Sequence, residues 1–262
     1  MPLETSFEVK NLTKVYGRQP VVHDLSLAVP TGSIYGVVGP NGAGKTTMLG
    51  MATGLIRPTS GEAFICGHNV WEDPVPAKQA MGLLVDGLPV FDRLTGGELL
   101  EYVGALRGLD AGTAQQRTQE LLDALGLTDA RHKQIVDYSA GMTKKILLAT
   151  ALLHNPDILI LDEPLEAVDP VSGERIQQIL RAFAAAGGTV VLSSHVMSLV
   201  EGLCDHVAII DHGKVMLAGH VDDIRQGKTL TEVFVETVGG EALAADSLQW
   251  LAGNSYEGEP KP

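Results

Sequence analysis

The chain has 262 residues, 45% of them hydrophobic, and carries 32 acidic against 19 basic residues, a formal net charge of −13. That much apolar material is enough for one large domain or a domain with a subdomain. The acidic balance repels phosphodiester backbones and anionic lipid, so nucleic acid is excluded as a partner and any membrane contact is expected to be indirect, through another protein.

In chain order, the opening MPLETSFEVK lacks the basic-then-apolar pattern of a signal peptide. FEVKNLTKVYG and VVHDLSLAVPTG are short β-like runs punctuated by Gly and Pro. SIYGVVG is an apolar strand running into a glycine-rich turn; KTTMLGMATGL reads as a helix, and PTSGEAFICG as a turn and a further strand. From about Ala77 to Leu153 the pattern is mostly helical: TGGELLEYVGALRGL and TAQQRTQELLDALGL place apolar residues three and four apart. YSAGMTKK starts another helix, with Ser139 as its cap, and KKILLATALLHNP ends it at Pro156.

Strands and helices then alternate. DILILDE is a strand, PVSGERIQQILRAFAAAGG a helix, TVVLSSH a strand and VMSLVEGLCD a short helix, followed by HVAIIDHGKVMLAG as a hairpin-like pair. Alternation with all-apolar strands predicts an α/β fold around a buried, mainly parallel sheet. Gly239 to Pro262, rich in Gly, Ala and acidic residues, reads as a loosely held tail. No apolar run reaches the roughly 18 residues of a membrane span. Cys66 and Cys204 form no CxxC pair, so they are expected to be reduced thiols of a cytoplasmic protein. His23, His68, His132, His154, His206, His212 and His220 are scattered, and the CDH run at Cys204–His206 lacks a convergent metal-binding partner.

Three segments carry chemistry. GPNGAGKTT, comprising Gly39, Pro40, Asn41, Gly42, Ala43, Gly44, Lys45, Thr46 and Thr47, fits G-x-x-x-x-G-K-[ST] between a strand and a helix. Its glycines let backbone N–H groups turn around a phosphate, and the helix N-terminus adds a positive dipole. Lys45 is placed to reach the β- and γ-phosphates, the Thr46 hydroxyl to ligate Mg²⁺, and Thr47 to donate to the α-phosphate. In ILILDEP, Ile158 to Leu161 deliver Asp162 and Glu163 to the sheet edge where ligands bind in open α/β folds. One carboxylate there can hold the magnesium shell and its neighbour can take a proton from water. His195 ends a third apolar strand and can hydrogen-bond a phosphate oxygen.

With these motifs in order, the chain resembles the nucleotide-binding subunit of an ABC transporter over roughly residues 5 to 235. GPNGAGKTT resembles the Walker A loop, ILILDEP Walker B and SSH the switch histidine. The resemblance implies a P-loop NTPase, RecA-like core with a mainly parallel sheet, a small antiparallel β subdomain and an inserted helical subdomain. Residues 1–238 form the nucleotide-binding domain on this reading, with the helical subdomain at about 86–153 and the tail at 239–262. The resemblance makes Tyr16 the aromatic that stacks on adenine, Glu163 the general base and Asp169 the acid of the D-loop EAVD. YSAGM becomes the signature, whose Ser139, Gly141 and Met142 grip ATP held by another chain. It also implies ATP and Mg²⁺ as ligands, and a second ATPase subunit in a head-to-tail homodimer. The resemblance further implies a separate transmembrane permease that holds the dimer at the inner face of the cell membrane.

The sequence departs from the family pattern at several positions. Asp86 stands where the family's Q-loop glutamine usually stands, and an oxygen ligand there still suits Mg²⁺. Met142 replaces the signature's usual Gln, and Glu166 and Ala167 replace the commoner Ser and Gly of the D-loop, adding a charge near the expected dimer seam. Phe91 and Leu94 either line the groove for the permease's coupling helix or pack the helical part. Asp86 and Met142 direct the reading towards an exporter. An importer ATPase, a soluble non-transport cassette ATPase such as one of iron–sulfur cluster assembly, and a binding module without hydrolysis are the alternatives. The short tail leaves no room for the regulatory domain common in importers, and Lys45, Asp162, Glu163 and His195 together argue against lost hydrolysis.

Overall fold

The computed structural model describes residues 4–85 and 90–239 of the chain. Its elements begin with β1 (Thr5–Tyr16), β2 (Gln19–Pro30), β3 (Ile34–Val38), α1 (Lys45–Ala52), β4 (Ser60–Ile65), β5 (His68–Asn69), α2 (Pro74–Ala80) and β6 (Met81–Leu84). Helices α3 (Gly96–Leu106), α4 (Ala111–Ala124) and α5 (Ala140–Leu152) follow, then β7 (Ile158–Leu161), α6 (Pro170–Ala185), β8 (Thr189–Ser194) and α7 (Met197–Leu203). The described chain closes with β9 (His206–Asp211), β10 (Lys214–His220), α8 (Val221–Arg225) and α9 (Leu230–Val238).

Two sheets organise these elements. An antiparallel sheet has the order β2-β1-β4-β5, and a six-stranded sheet the order β10-β9-β3-β8-β7-β6. In the second sheet every pairing is parallel except β10 against β9. Its strands are apolar on both sides because both sides are covered, and side chains alternate between faces with period two. Leu159, Leu161, Val190, Leu192, Val207 and Ile209 join the core beneath the helices. Ile158, Ile160, Val191, Ala208 and Ile210 join a second core shared with α1 and the antiparallel sheet. Each fully buried aliphatic side chain contributes about 1.5–3 kcal/mol, and an unpaired charge on either face would bear the cost of desolvation.

The chain therefore adopts the α/β P-loop fold expected from its sequence. Inside the mostly helical stretch, Met81–Leu84 forms the edge strand β6, paired with β7 from Met81–Ile158 to Leu84–Leu161. Helix α3 opens with a capping box in which Glu98 N–H donates to Thr95 Oγ1 at 3.3 Å and Thr95 N–H donates to Glu98 Oε2 at 2.8 Å. A second capping box, Thr229 with Glu232, opens α9, which buries Leu230 and Val233 beneath the hairpin. Among the described residues no helix is long and apolar enough to cross a membrane.

His154, just past α5, ties that helix to the sheet: its Nε2 lies 3.1 Å from the Met81 carbonyl oxygen. Its Nδ1 is buried and has no hydrogen-bond partner among the described residues. Burial, with Arg107 and Arg117 nearby, pushes its pKa down from 6.5 to about 4. The unfolded chain therefore binds a proton in this window that the native chain does not, so the contribution of His154 is full above about 6.5 and is lost as pH falls towards about 4. His154→Gln should flatten the fall in stability between those pH values, measured by urea unfolding at a series of pH.

Candidate functional site

The ends of β3, β7 and β8 emerge at one edge of the parallel sheet, because β8 pairs in parallel with both neighbours: Val38 lies opposite Ser194, and Leu161 opposite Leu192. The loop Gly39–Gly44 leaves β3 there and turns directly into α1. A Cβ at Gly39 would stand 2.2 Å from the Ile210 carbonyl oxygen, so only glycine lets the loop run this close to β9. Gly44 caps α1 in the left-handed region, φ 101°, and supplies no side-chain cap, which leaves the first amides of the helix facing the cleft. Lys45 is buried, and its Nζ donates to the carbonyls of Gly39 at 2.7 Å and Pro40 at 3.2 Å. Burial lowers the ammonium pKa, and the Glu163 and Asp162 carboxylates oppose that shift.

The two carboxylates are held differently. Asp162 is buried; its N–H donates to the Leu84 carbonyl at 2.7 Å and its Oδ1 accepts from Ser193 Oγ at 2.5 Å. Ser193 Oγ also accepts from the Glu163 N–H at 2.9 Å. One hydroxyl thus fastens both residues of the acidic pair to the neighbouring strand. Glu163 takes a left-handed backbone, φ 47°, and its Oε1 lies 3.0 Å from Nδ1 of His195, whose side chain is half-exposed. Beside them lies a cleft of about 400 Å³ whose wall includes Gly42, Lys45, Thr46, Glu163, Glu166 and His195. Asn41, Ala43, Gly44 and Thr47 line it too.

The remaining predicted residues that the structure describes lie outside that wall. Tyr16 ends β1, 49% exposed, with the Lys14 ammonium 4.9 Å from its ring centre. Ser139 caps α5 by accepting from Met142 N–H at 3.2 Å, and it is exposed. A Cβ at Gly141 would stand 2.8 Å from the Ala167 carbonyl oxygen, so the start of α5 rests on the loop that carries Glu163 and Glu166. Asp169 caps α6, where the Ser172 hydroxyl and amide hold its carboxyl below the usual range. Lys145 Nζ donates to Ser172 Oγ at 3.3 Å and joins α5 to α6. Phe91 packs edge-on against Tyr102, with ring centres 5.3 Å apart. Asp86 lies outside the described residues. Cys66 and Cys204 are free, and among the described residues no His, Cys, Asp and Glu cluster could hold a metal.

Three placements at or beside the cleft escape a reading of the motifs alone. Ser193 carries a weak signal, a hydroxyl two residues before His195 in an otherwise apolar strand. Val21 reaches the cleft from β2, and Glu166 turns into it. Ser193→Ala would strip the buried Asp162 of a donor and should destabilise the chain by about 1–3 kcal/mol, read from the urea midpoint.

The family profile described as ABC transporter matches residues 22–166. The daunorubicin/doxorubicin resistance ATP-binding protein DrrA of Streptomyces peucetius is 37% identical over 220 residues, 84% of this chain and 67% of that protein. The linearmycin resistance ATP-binding protein LnrL of Bacillus subtilis is 34% identical over 241 residues, 91% of this chain and 78% of that protein. A solved structure described as the ATP binding subunit of an ABC transporter matches with a TM-score of 0.83 at 29% identity, covering 89% of this chain and 99% of that one.

Proposed function

Because the chain belongs to the ABC transporter family, as an ATP-binding subunit with ATPase activity, we propose that it drives a membrane exporter and works as one of two such subunits closed over ATP. The observation that carries this reading is the meeting of the Lys45 loop, the Asp162–Glu163 pair and His195 at one sheet edge, with Glu163 Oε1 3.0 Å from His195 Nδ1. The direction of transport rests on likeness to the two resistance proteins, 37% and 34% identical. A separate permease, with membrane contact only through it at the cytoplasmic face, belongs to the same proposal.

Each residue then has a task. The amides of Gly39 to Gly44 and the start of α1 hold the phosphates, and Lys45 exchanges its carbonyl partners for β- and γ-phosphate oxygens. Thr47 supports the α-phosphate and Tyr16 stacks on adenine. Thr46, Asp162 and Asp86 offer hard oxygen donors that fit Mg²⁺, with Ser193 keeping the Asp162 carboxylate oriented. When bound, Mg²⁺ neutralises phosphate charge during phosphoryl transfer. Glu163 accepts the proton of the water that attacks the terminal phosphorus, and His195 fixes that carboxylate and reaches a phosphate oxygen. ADP leaves as the bond to the terminal phosphorus breaks.

Ser139, Gly141 and Met142 serve the nucleotide of a second copy. The Ser-capped start of α5 presents amides and a positive helix end to that phosphate. Asp169 lies at the seam between the copies. Residues 1–238 make up the nucleotide-binding domain, the part from about 86 to 153 is its helical insertion, and 239–262 is the tail.

Glu163→Gln should retain ATP binding, lower phosphate release by at least about 100-fold and accumulate an ATP-stabilised dimer on size-exclusion chromatography. A variant that releases phosphate at the wild-type rate would remove Glu163 from the role of base. Ser139→Arg should bind ATP with ordinary affinity yet neither dimerise nor turn over, as checked by nucleotide binding and light scattering on the same sample. Normal turnover would reduce Ser139 to a helix cap.

A further inference from the structure

The charges around the cleft do not balance. Lys45 is the one Lys or Arg among the described residues of its wall, and its ammonium already interacts with Glu163 and Asp162. Glu163 in turn faces His195. Glu166 has no such compensation: among the described residues no hydrogen bond or ion pair reaches its carboxylate, which is exposed. The turn keeps it there. Its N–H donates to the Glu163 carbonyl at 3.1 Å, and the backbone is left-handed at Glu163, φ 47°, and Ala167, φ 60°. The residue lines both the phosphate cleft and an adjoining cavity of about 310 Å³ that reaches Asp169 and Leu199.

We propose that Glu166 is a specificity-determining residue that discriminates against nucleotide without a bound divalent cation, an inference that rests on the nucleotide reading of the cleft. Free ATP carries about four negative charges near neutral pH and its Mg²⁺ complex about two, and the repulsion from a fixed carboxylate scales with that charge. The penalty on a logarithmic scale is therefore about twice as large for the free form. Lys45 already interacts with the Glu163 and Asp162 carboxylates, and the described residues of the wall hold no second Lys or Arg to offset Glu166.

The test is equilibrium binding of ATP to wild-type protein and to Glu166→Gln, in low salt, with excess Mg²⁺ and separately with EDTA. Glu166→Gln should bind free ATP about tenfold more tightly and the Mg²⁺ complex about threefold more tightly. Glu166→Ser should reproduce the gain, Glu166→Asp should retain most of the wild-type discrimination, and the gain should shrink in about 0.5 M salt as the charges are screened. Equal gains for the two forms of ATP, or no gain for either, would overturn the proposal. A wild-type chain that bound ATP in neither buffer would overturn the nucleotide reading itself, and the role of Glu166 with it.

Discussion

The parallel pairing of β8 with β3 on one side and β7 on the other is the constraint on which the rest of the site depends. It runs from Ile34 opposite Val190 to Val38 opposite Ser194, and from Ile158 opposite Thr189 to Leu161 opposite Leu192. Three chain segments far apart in sequence consequently end at the same edge. A slip of one residue would exchange the two faces of β8, burying the wrong side chains in both cores and withdrawing the Ser193 hydroxyl from Asp162. The same burial that protects the sheet thus sets the position of the polar residues at its rim.

Ser193 shows how that rim is built. A buried carboxylate such as Asp162 is costly unless donors surround it, and the Ser193 hydroxyl and the Lys45 charge both help to meet that need. The same Ser193 oxygen receives the Glu163 amide, so the carboxylate facing His195 starts from a backbone already fixed to β8. Lys45 is satisfied in the same way, by two carbonyls of its own loop, which phosphate oxygens replace on the proposed reading. A site arranged like this keeps its geometry before the substrate arrives, so little reorganisation remains for the reaction.

The loop from Glu163 to Asp169 connects this edge to its surroundings. Gly141 packs against the Ala167 carbonyl, and Lys145 reaches Ser172 on the helix that Asp169 caps, so the start of α5 and the start of α6 are held together through that loop. Glu163 faces the cleft from one end of the loop and Asp169 lies at the other. A change of state in the cleft therefore has a short path, along this loop and across the Gly141–Ala167 contact, to the helix start on which Ser139 is exposed.

Much of the fold could be read from local pattern. The apolar runs of β3, β7, β8 and β9, the glycine-rich loop before α1 and the Ser139 cap follow from periodicity, glycine placement and capping chemistry, which act over a few residues. That made the glycine-rich loop, the Asp162–Glu163 pair and His195 legible as separate pieces. What the tertiary structure alone decided depends on the pairing of distant strands: the sharing of Ser193 between Asp162 and Glu163, the arrival of Val21 from the antiparallel sheet, and the contact of Gly141 with the Ala167 carbonyl. Glu166 illustrates the difference. Its sequence identity shows only an added charge, whereas the fold places the residue on the wall of the cleft that Glu163 also lines. The physical reason is range: propensity and periodicity are local, but electrostatics and hydrogen bonding between side chains act through space, and only the folded sheet defines that space.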